Sequence, residues 1–373
     1  MRILTVVGNR PQFIKAAVVS GPLRAAHDEV LLHTGQHHDE NLSQVFFAEL
    51  GLHHPELQLA IAGGSNTSQT ARMLTALEPL LAEVGPDAVL VYGDTNSTLA
   101  GALAAAQAGV AVIHVEAGMR SFDRTMPEER NRVLADHLGD LLLCSSQTAA
   151  ANLRAESVSA EIEVVGDVMV DLALRRAADE QAGTRAAGAT AAGSEAGVLA
   201  THRVQPGRYL LVSAHRAGNV DDSERLRALV ELLAALPLPV VFPVHPRTAA
   251  RLRDSGLDRR IAELEHLRTT EPLGYAAFAA LLASAQAVLT DSGGVQKEAY
   301  IAGVPCITLR PSTEWVETVD AGWNTLVDLD RDAALAALQR EPPSVRPPLY
   351  GQGDAAQRCV QAITAWGERR RLG

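Results

Sequence analysis

Short apolar runs recur along this chain, and each empties into glycine or charged residues. Ile3–Val7 leads into Gly8-Asn9-Arg10-Pro11, Ala88–Tyr92 into Gly93-Asp94, and Val110–Val115 into Glu116. Runs of this kind, too short for helices and without polar alternation, read as strands buried on both faces of a parallel sheet. Val30–His33 is a further strand in the first half. Tyr209–Ser213, Val240–Val244, Ala287–Leu289 and Cys306–Leu309 are strands in the second. Between them the spacing predicts helices over Ala17–Leu23, Ser43–Leu50, Met73–Val84 and Thr98–Ala108, with Pro11 suited to a first helical turn. Strand–helix alternation predicts an α/β protein with parallel sheets covered on both faces. The alternation lapses between about Ala173 and Pro206. There Ala182–Gly193 is low-complexity, without aromatic residues or an apolar period, and reads as an exposed insertion near a linker. Two α/β halves with a cleft between them are the simplest organisation.

Composition narrows the function classes. The 373 residues are 47% hydrophobic and 21% charged, enough for two domains with sizeable cores. A net charge of −11 argues against a general nucleic-acid or acidic-membrane binder, which needs a positive field. Three widely spaced cysteines, Cys144, Cys306 and Cys359, form no CxxC pair, which fits a reducing, cytoplasmic setting. No signal peptide or membrane-spanning segment is expected.

Candidate chemistry lies where the strands end. His114-Val-Glu-Ala-Gly-Met-Arg120 and Met126-Pro-Glu-Glu-Arg-Asn-Arg132 place three carboxylates, a histidine and three arginines after a buried strand. Charge beside a core costs free energy unless it is paired or used. Glu128 and Arg132, at i and i+4, share a helix face and can also be read as an ordinary ion pair. Gly8–Lys15 offers helix-start N–H groups with Arg10 and Lys15 for an anion, or a plain turn with solvated cations. Asp94 is placed where open α/β sheets put ligands, although it or Thr95 also suits a helix cap. His215 and His245 each follow a strand of the second half. Thr290-Asp-Ser-Gly-Gly-Val-Gln-Lys-Glu298 is the strongest glycine motif. Ser292, Gly293 and Gly294 can cradle a phosphate at a helix start, with Glu298 one turn on. No HExxH and no histidine–cysteine spacing suggests a metal.

These motifs, taken in order, resemble the non-hydrolysing UDP-N-acetylglucosamine 2-epimerases and their relatives acting on UDP-2,3-diacetamido-2,3-dideoxy-glucuronate. GNRPQFIK, TGQHHDENLSQVFF, VYGDTNSTLAGA, HVEAGMRSFDRTMPEERNR, SAHRAGN, FPVHPRT and LTDSGGVQKEA carry the likeness, from about Arg2 to Asn324. The resemblance implies a GT-B-like fold of two Rossmann-like domains with the nucleotide sugar in an interdomain cleft. It places the first domain at 1–172, a linker at 173–206 and a UDP-binding domain at 207–354. The last helix, about 355–373, would pack back on the first domain. The implied chemistry is elimination of UDP to 2-acetamidoglucal and re-addition after the C2 proton returns on the other face, without cofactor or metal. Asp94, Glu116, Glu128 and His215 would be catalytic. Arg10, Lys15, His245, Ser292, Gly293, Gly294 and Glu298 would contact UDP. A UDP-sugar substrate and a homodimer are implied, with no nucleic-acid or membrane partner.

Two departures stand out. Gly218 occupies a position that is glutamate in the THRREN form of many members, and Trp315 stands where the TERPE form has arginine. RPQFIK, TGQH and TEWVE look closer to the diacetamido-uronate relatives, whose substrate is one alternative. Gln36–Asn41 departs from the segment that carries an activating second site in some bacterial members. A hydrolysing epimerase, a GT-B glycosyltransferase using a UDP sugar and a non-catalytic nucleotide-sugar binder are the others.

Overall fold

Strand by strand, the apolar runs become two parallel sheets. The computed structural model describes residues 1–36, 52–182 and 195–372. The expected helix Ser43–Leu50, the segment His37–Asn41 and nearly all of Ala182–Gly193 lie outside the described residues. The chain divides into two units, Met1–Arg176 with Pro348–Gly373, and Ala177–Pro347.

The first unit contains β1 (Arg2–Val7), β2 (Asp28–His33), β3 (Leu57–Gln58), β4 (Ala88–Tyr92), β5 (Ala111–Ala117), β6 (Leu141–Cys144) and β7 (Glu161–Val164), ordered β3-β2-β1-β4-β5-β6-β7. All neighbouring pairs are parallel. Strand period divides the apolar residues between two cores. Ile3, Leu31, Leu90, Ile113 and Leu143 face one way, Leu4, Leu32, Val89, Val91 and Val112 the other. The helices are α1 (Arg10–Ala26), α2 (Asn66–Val84), α3 (Asn96–Gln107), α4 (Pro127–Leu138), α5 (Gln147–Ala155) and α6 (Val168–Ala182). Several begin earlier than apolar spacing alone predicts, because capping side chains set the start. Asn9 accepts from Gln12 N to open α1, Ser65 from Ser68 N to open α2, and Thr95 from Thr98 N to open α3.

In the second unit β8 (Leu210–Ser213), β9 (Val240–Pro243), β10 (Leu267–Thr270), β11 (Ala287–Thr290), β12 (Cys306–Thr308) and β13 (Asn324–Leu326) are ordered β10-β9-β8-β11-β12-β13, again all parallel. Its helices are α7 (Glu195–Thr201), α8 (Ala217–Val220), α9 (Ser223–Ala234), α10 (Pro246–Asp254), α11 (Asp258–Ala262), α12 (Tyr275–Ser284), α13 (Gly293–Ala302), α14 (Val316–Asp320) and α15 (Arg331–Leu338). The lapse between Ala173 and Pro206 is thus narrower than expected. α6 runs to Ala182, and α7 lies within the range, its Val198 and Leu199 joining Val204, Tyr209 and Leu281 in a core. The two large apolar residues among the seven of α7 are too few to show a period in sequence.

The C-terminal helix α16 (Ala355–Leu372) belongs to the first unit. Its Ala355, Cys359, Ile363 and Trp366 are buried with Phe13, Val19 and Leu23 of α1. Asp171 accepts from the N–H groups of Ala355 at 3.0 Å and Ala356 at 2.8 Å, fixing the helix start. All three cysteines are free and buried, and burial pushes the Cys144 and Cys306 thiols up to about 12.

Each sheet has one point where successive connections diverge. In the first, β1 leads toward β2 and β3 while β4 leads toward β5, β6 and β7. In the second, β8 leads toward β9 and β10 while β11 leads toward β12 and β13. Open α/β sheets bind ligands outside the strand ends at such points. The loops there are Gly8–Arg10 with Gly93–Thr95, and Ala214–Arg216 with Asp291–Ser292.

Candidate functional site

At the first divergence point, Lys15 of α1 forms an ion pair with Glu116 Oε2 at the end of β5, and both side chains are largely shielded. Glu116 has φ 69°, a left-handed conformation rare for residues other than glycine, and the β5–β6 register shifts between Val115 and Ala117. Backbone strain of this sort persists only when the surroundings enforce it, and it concentrates at functional sites. Gly93 adopts φ 61°, and a Cβ on it would lie 3.2 Å from Glu116 Oε2 and 3.3 Å from Lys15 Nζ. Only glycine lets the end of β4 approach the pair this closely. The next residue, Asp94, is ion-paired with Arg132 of α4, and its carbonyl accepts from Asn131 Nδ2 at 3.0 Å. Lys15, Asp94 and Glu116 are thereby brought together. Arg10 and Glu128 lie half-buried in the first turns of α1 and α4.

Behind these residues is a charged layer, of which the sequence flags His114, Arg120, Glu129 and Arg132 but not Asp136 or Glu156. His114 Nδ1 is 2.7 Å from Asp136 Oδ1 and its Nε2 is 2.7 Å from the Gly93 carbonyl, so this one ring ties α4 to the end of β4. Asp136 Oδ2 accepts from Arg120 Nη1 at 2.7 Å and Gly118 N at 3.1 Å. Arg120 makes a two-bond pair with Glu156, both at 2.7 Å. Burial alone would push the Asp136 carboxyl up, but His114 and Arg120 outweigh it and hold it below the usual carboxylate range. Glu129 is buried as well. It accepts from Ser121 N, Ser121 Oγ and Phe122 N, each at 2.9 Å, and from Arg132 Nη1 at 3.0 Å. Glu129, Arg132 and Asp136, at i, i+3 and i+7, form one stripe of α4 that faces inward. That spacing was the available signal: a helix whose inward face is charged is building a site, not only a core.

A variant tests this layer. Asp136→Asn leaves Arg120 and His114 facing a neutral group in the interior. Breaking one member of a buried charge network costs about 3–5 kcal/mol. The expected result is a loss of unfolding free energy of that order, read as a lower midpoint in urea unfolding followed by circular dichroism, and an unshifted midpoint would contradict it.

At the second divergence point, buried Asp291 organises the loop after β8. Its carboxylate accepts from His215 N at 3.0 Å, Arg216 N at 2.9 Å and Asn219 Nδ2 at 3.0 Å. Asn219 Nδ2 also donates to Leu309 O at 2.9 Å. Asp291 stood inside the recognised motif without a role, because a carboxylate that receives backbone N–H groups looks in sequence like any loop aspartate. The rings of His215 and His245 stack, with centroids 5.2 Å apart at 29°. The two strand-end histidines therefore form one feature. His245 Nδ1 accepts from Arg247 N at 3.2 Å and caps α10, which leaves the ring hydrogen on Nε2.

Ser292, Gly293 and Gly294 open α13, whose first N–H groups have no partner within the helix. Glu298 follows on the same helix, half-buried. Gly293 is buried against Glu314 and Trp315. Trp315 is itself buried, and the Lys297 ammonium lies 4.7 Å from its ring centroid. At the position that reads arginine in the TERPE form, this chain thus places an aromatic face under a buried lysine. Among the described residues no group of three or more His, Cys, Asp or Glu side chains is arranged to hold a metal, and no helix is long and apolar enough to cross a membrane.

The sequence model of the family described as UDP-N-acetylglucosamine 2-epimerase matches residues 23–364. UDP-2,3-diacetamido-2,3-dideoxy-D-glucuronate 2-epimerase of Pseudomonas aeruginosa is 42% identical, over 97% of this chain and 99% of that protein. UDP-N-acetylglucosamine 2-epimerase of Methanocaldococcus jannaschii is 38% identical, over 98% and 99%. The crystal structure of the M. jannaschii enzyme in complex with UDP-GlcNAc and UDP superposes with a TM-score of 0.88, covering 98% of this chain and 100% of that one. The fold is of the GT-B-like α/β class, with two parallel sheets. The chain belongs to the UDP-N-acetylglucosamine 2-epimerase family.

Proposed function

We propose that this protein interconverts UDP-N-acetylglucosamine and UDP-N-acetylmannosamine without hydrolysing either. The observation that carries the reading is the cluster of Lys15, Glu116, Gly93–Asp94 and Arg132 at a sheet divergence point. The C2 hydrogen of a nucleotide sugar has no adjacent carbonyl, so direct deprotonation is very unfavourable. Elimination solves this. A carboxylate takes the C2 proton, the C1–O bond breaks, and UDP departs with the electron pair, leaving 2-acetamidoglucal. A proton then returns to C2 on the opposite face and UDP re-adds at C1. Two proton-transfer groups are needed, and Asp94, Glu116 and Glu128 supply carboxylates for them. Lys15 gives Glu116 a counter-charge out of bulk water.

Holding the departing diphosphate falls to residues of the second unit. The first turn of α13 at Ser292–Gly294 offers N–H groups, and His215 and His245 add ring donors. Glu298 is the candidate for ribose hydroxyls.

A second reading is the same chemistry on UDP-2,3-diacetamido-2,3-dideoxy-glucuronate. The 42% identity to the Pseudomonas enzyme favours it, as does Trp315 in place of arginine. Incubation with each UDP sugar in the presence of a chelator, followed by chromatography, separates the readings. The main reading predicts UDP-N-acetylmannosamine formed from UDP-N-acetylglucosamine, with total UDP sugar conserved. Free UDP rising in step with free N-acetylmannosamine would reject the non-hydrolysing step. Turnover of the uronate alone would establish the second reading.

A further inference from the structure

Phe122 is the residue on which the first unit's geometry and its folding interests disagree. Its φ is 58°, in the left-handed region that a bulky side chain avoids. Its side chain recovers little by burial: at 71% exposed, Phe122 is more exposed than any other large apolar residue among those described. Glycine would relieve the backbone and remove the exposed ring, so folding alone does not account for phenylalanine here.

The conformation is held from one side. Phe122 N donates to Glu129 Oε1 at 2.9 Å, and the preceding Ser121 donates to Glu129 Oε2 through both N and Oγ, also at 2.9 Å. Asp123 N donates to Ser121 Oγ at 3.3 Å, and Met126 N to Asp123 O at 3.1 Å. The loop is thus wired on its inner side with the ring at its tip. Glu129 Oε2 is in turn 3.0 Å from Arg132 Nη1, and Arg132 Nη2 pairs with Asp94. One buried carboxylate–guanidinium pair therefore holds both the backbone that carries the aromatic ring and a candidate catalytic carboxylate. Strained residues cluster at ligand-binding and catalytic sites, and this one is linked through Glu129 and Arg132 to a candidate catalytic carboxylate.

We infer that the Phe122 ring packs against the apolar C–H face of the sugar of the bound UDP-sugar, and that it contributes to recognition of the sugar rather than of the nucleotide. An aromatic face suits this: it offers a large, stiff apolar surface to carbon-bound hydrogens and excludes water from beside the reacting carbon. The inference rests on the epimerase reading for the identity of the sugar.

The test uses Phe122→Gly and Phe122→Tyr in the full chain. The glycine variant is expected to melt no lower than wild type, because its backbone strain is relieved. Its kcat/KM for the UDP sugar should fall at least tenfold, mainly through KM, with the dissociation constant of UDP alone changed less than twofold. The tyrosine variant, which keeps the ring, should stay within about threefold of wild type. A glycine variant with kcat/KM within twofold of wild type overturns the inference. So does loss of oligomeric state with KM unchanged, which would assign the ring to a contact between copies. If wild type turns over neither UDP sugar, the epimerase reading fails by itself. The contact is then read from equilibrium binding, where a glycine variant that holds UDP-N-acetylglucosamine as well as wild type does overturns it.

Discussion

Glu116→Gln should lower kcat by about a thousandfold, within the range removed with one general acid or base. The substitution keeps shape and the φ of 69° but removes the charge paired with Lys15. If Glu116 moves a proton at C2 or stabilises charge developing at C1, the amide cannot replace it, because it neither takes up a proton nor balances a cation. Binding of UDP alone should be little changed, since the Ser292–Gly294 turn and the two histidines lie in the other unit. The pair is shielded but keeps some contact with water, so the stability lost with it should be smaller than for a fully buried charge. Steady-state kinetics and UDP titration check this together. A variant that turns over within tenfold of wild type would remove Glu116 from the chemistry.

Gly293→Ala has the second large effect, and it should fall on binding. A Cβ there would sit 1.9 Å from Glu314 Oε1 and 3.4 Å from Trp315 Nε1. Glu314 cannot easily withdraw, because it is buried and lies 2.9 Å from Arg310 Nη2. The start of α13 must shift instead, by something on the order of an ångström, and charge-assisted hydrogen bonds to a phosphate weaken steeply over that distance. UDP affinity is expected to fall at least thirtyfold by calorimetry. Gly294→Ala is the internal comparison: its Cβ would meet no protein atom within 4 Å. That variant should fold as wild type does, so any loss of UDP binding reports contact with the ligand itself. Equal UDP affinity for Gly293→Ala and wild type would contradict the placement of the phosphate at this turn.

Much of the architecture was legible because buried parallel strands are written as continuous apolar runs. The runs ending at Val7, Tyr92 and Val115 became β1, β4 and β5 with small boundary changes. Short strands were harder. β3 has two residues, and β7 reads Glu-Ile-Glu-Val with mixed burial, so neither leaves an apolar signature. Helix starts were misplaced where polar first turns are fixed by caps, as at Asn66–Thr70 of α2, which follows Ser65. In the candidate site, the strand-end residues could be named, but not the pairings that hold them. His114, Asp136, Glu129 and Asp291 act through partners distant in sequence: His114 and Asp136 are 22 residues apart, and Asp291 is 76 from His215. Glu128–Arg132 read as a plausible i, i+4 pair, but the pairing of Arg132 with Asp94 and Glu129 could not be read that way. Helical spacing shows which side chains share a face but not what the opposing strand presents to them.

In the proposed reaction C2 is deprotonated and reprotonated during an elimination and re-addition. Proton NMR of the purified protein with UDP-N-acetylglucosamine in D2O tests it most directly. The expected product is UDP-N-acetylmannosamine carrying deuterium at C2, with the C1–phosphate linkage intact in both epimers at equilibrium. Epimer formed with hydrogen retained at C2 would contradict it, since the C2 hydrogen would then have moved without exchanging with solvent.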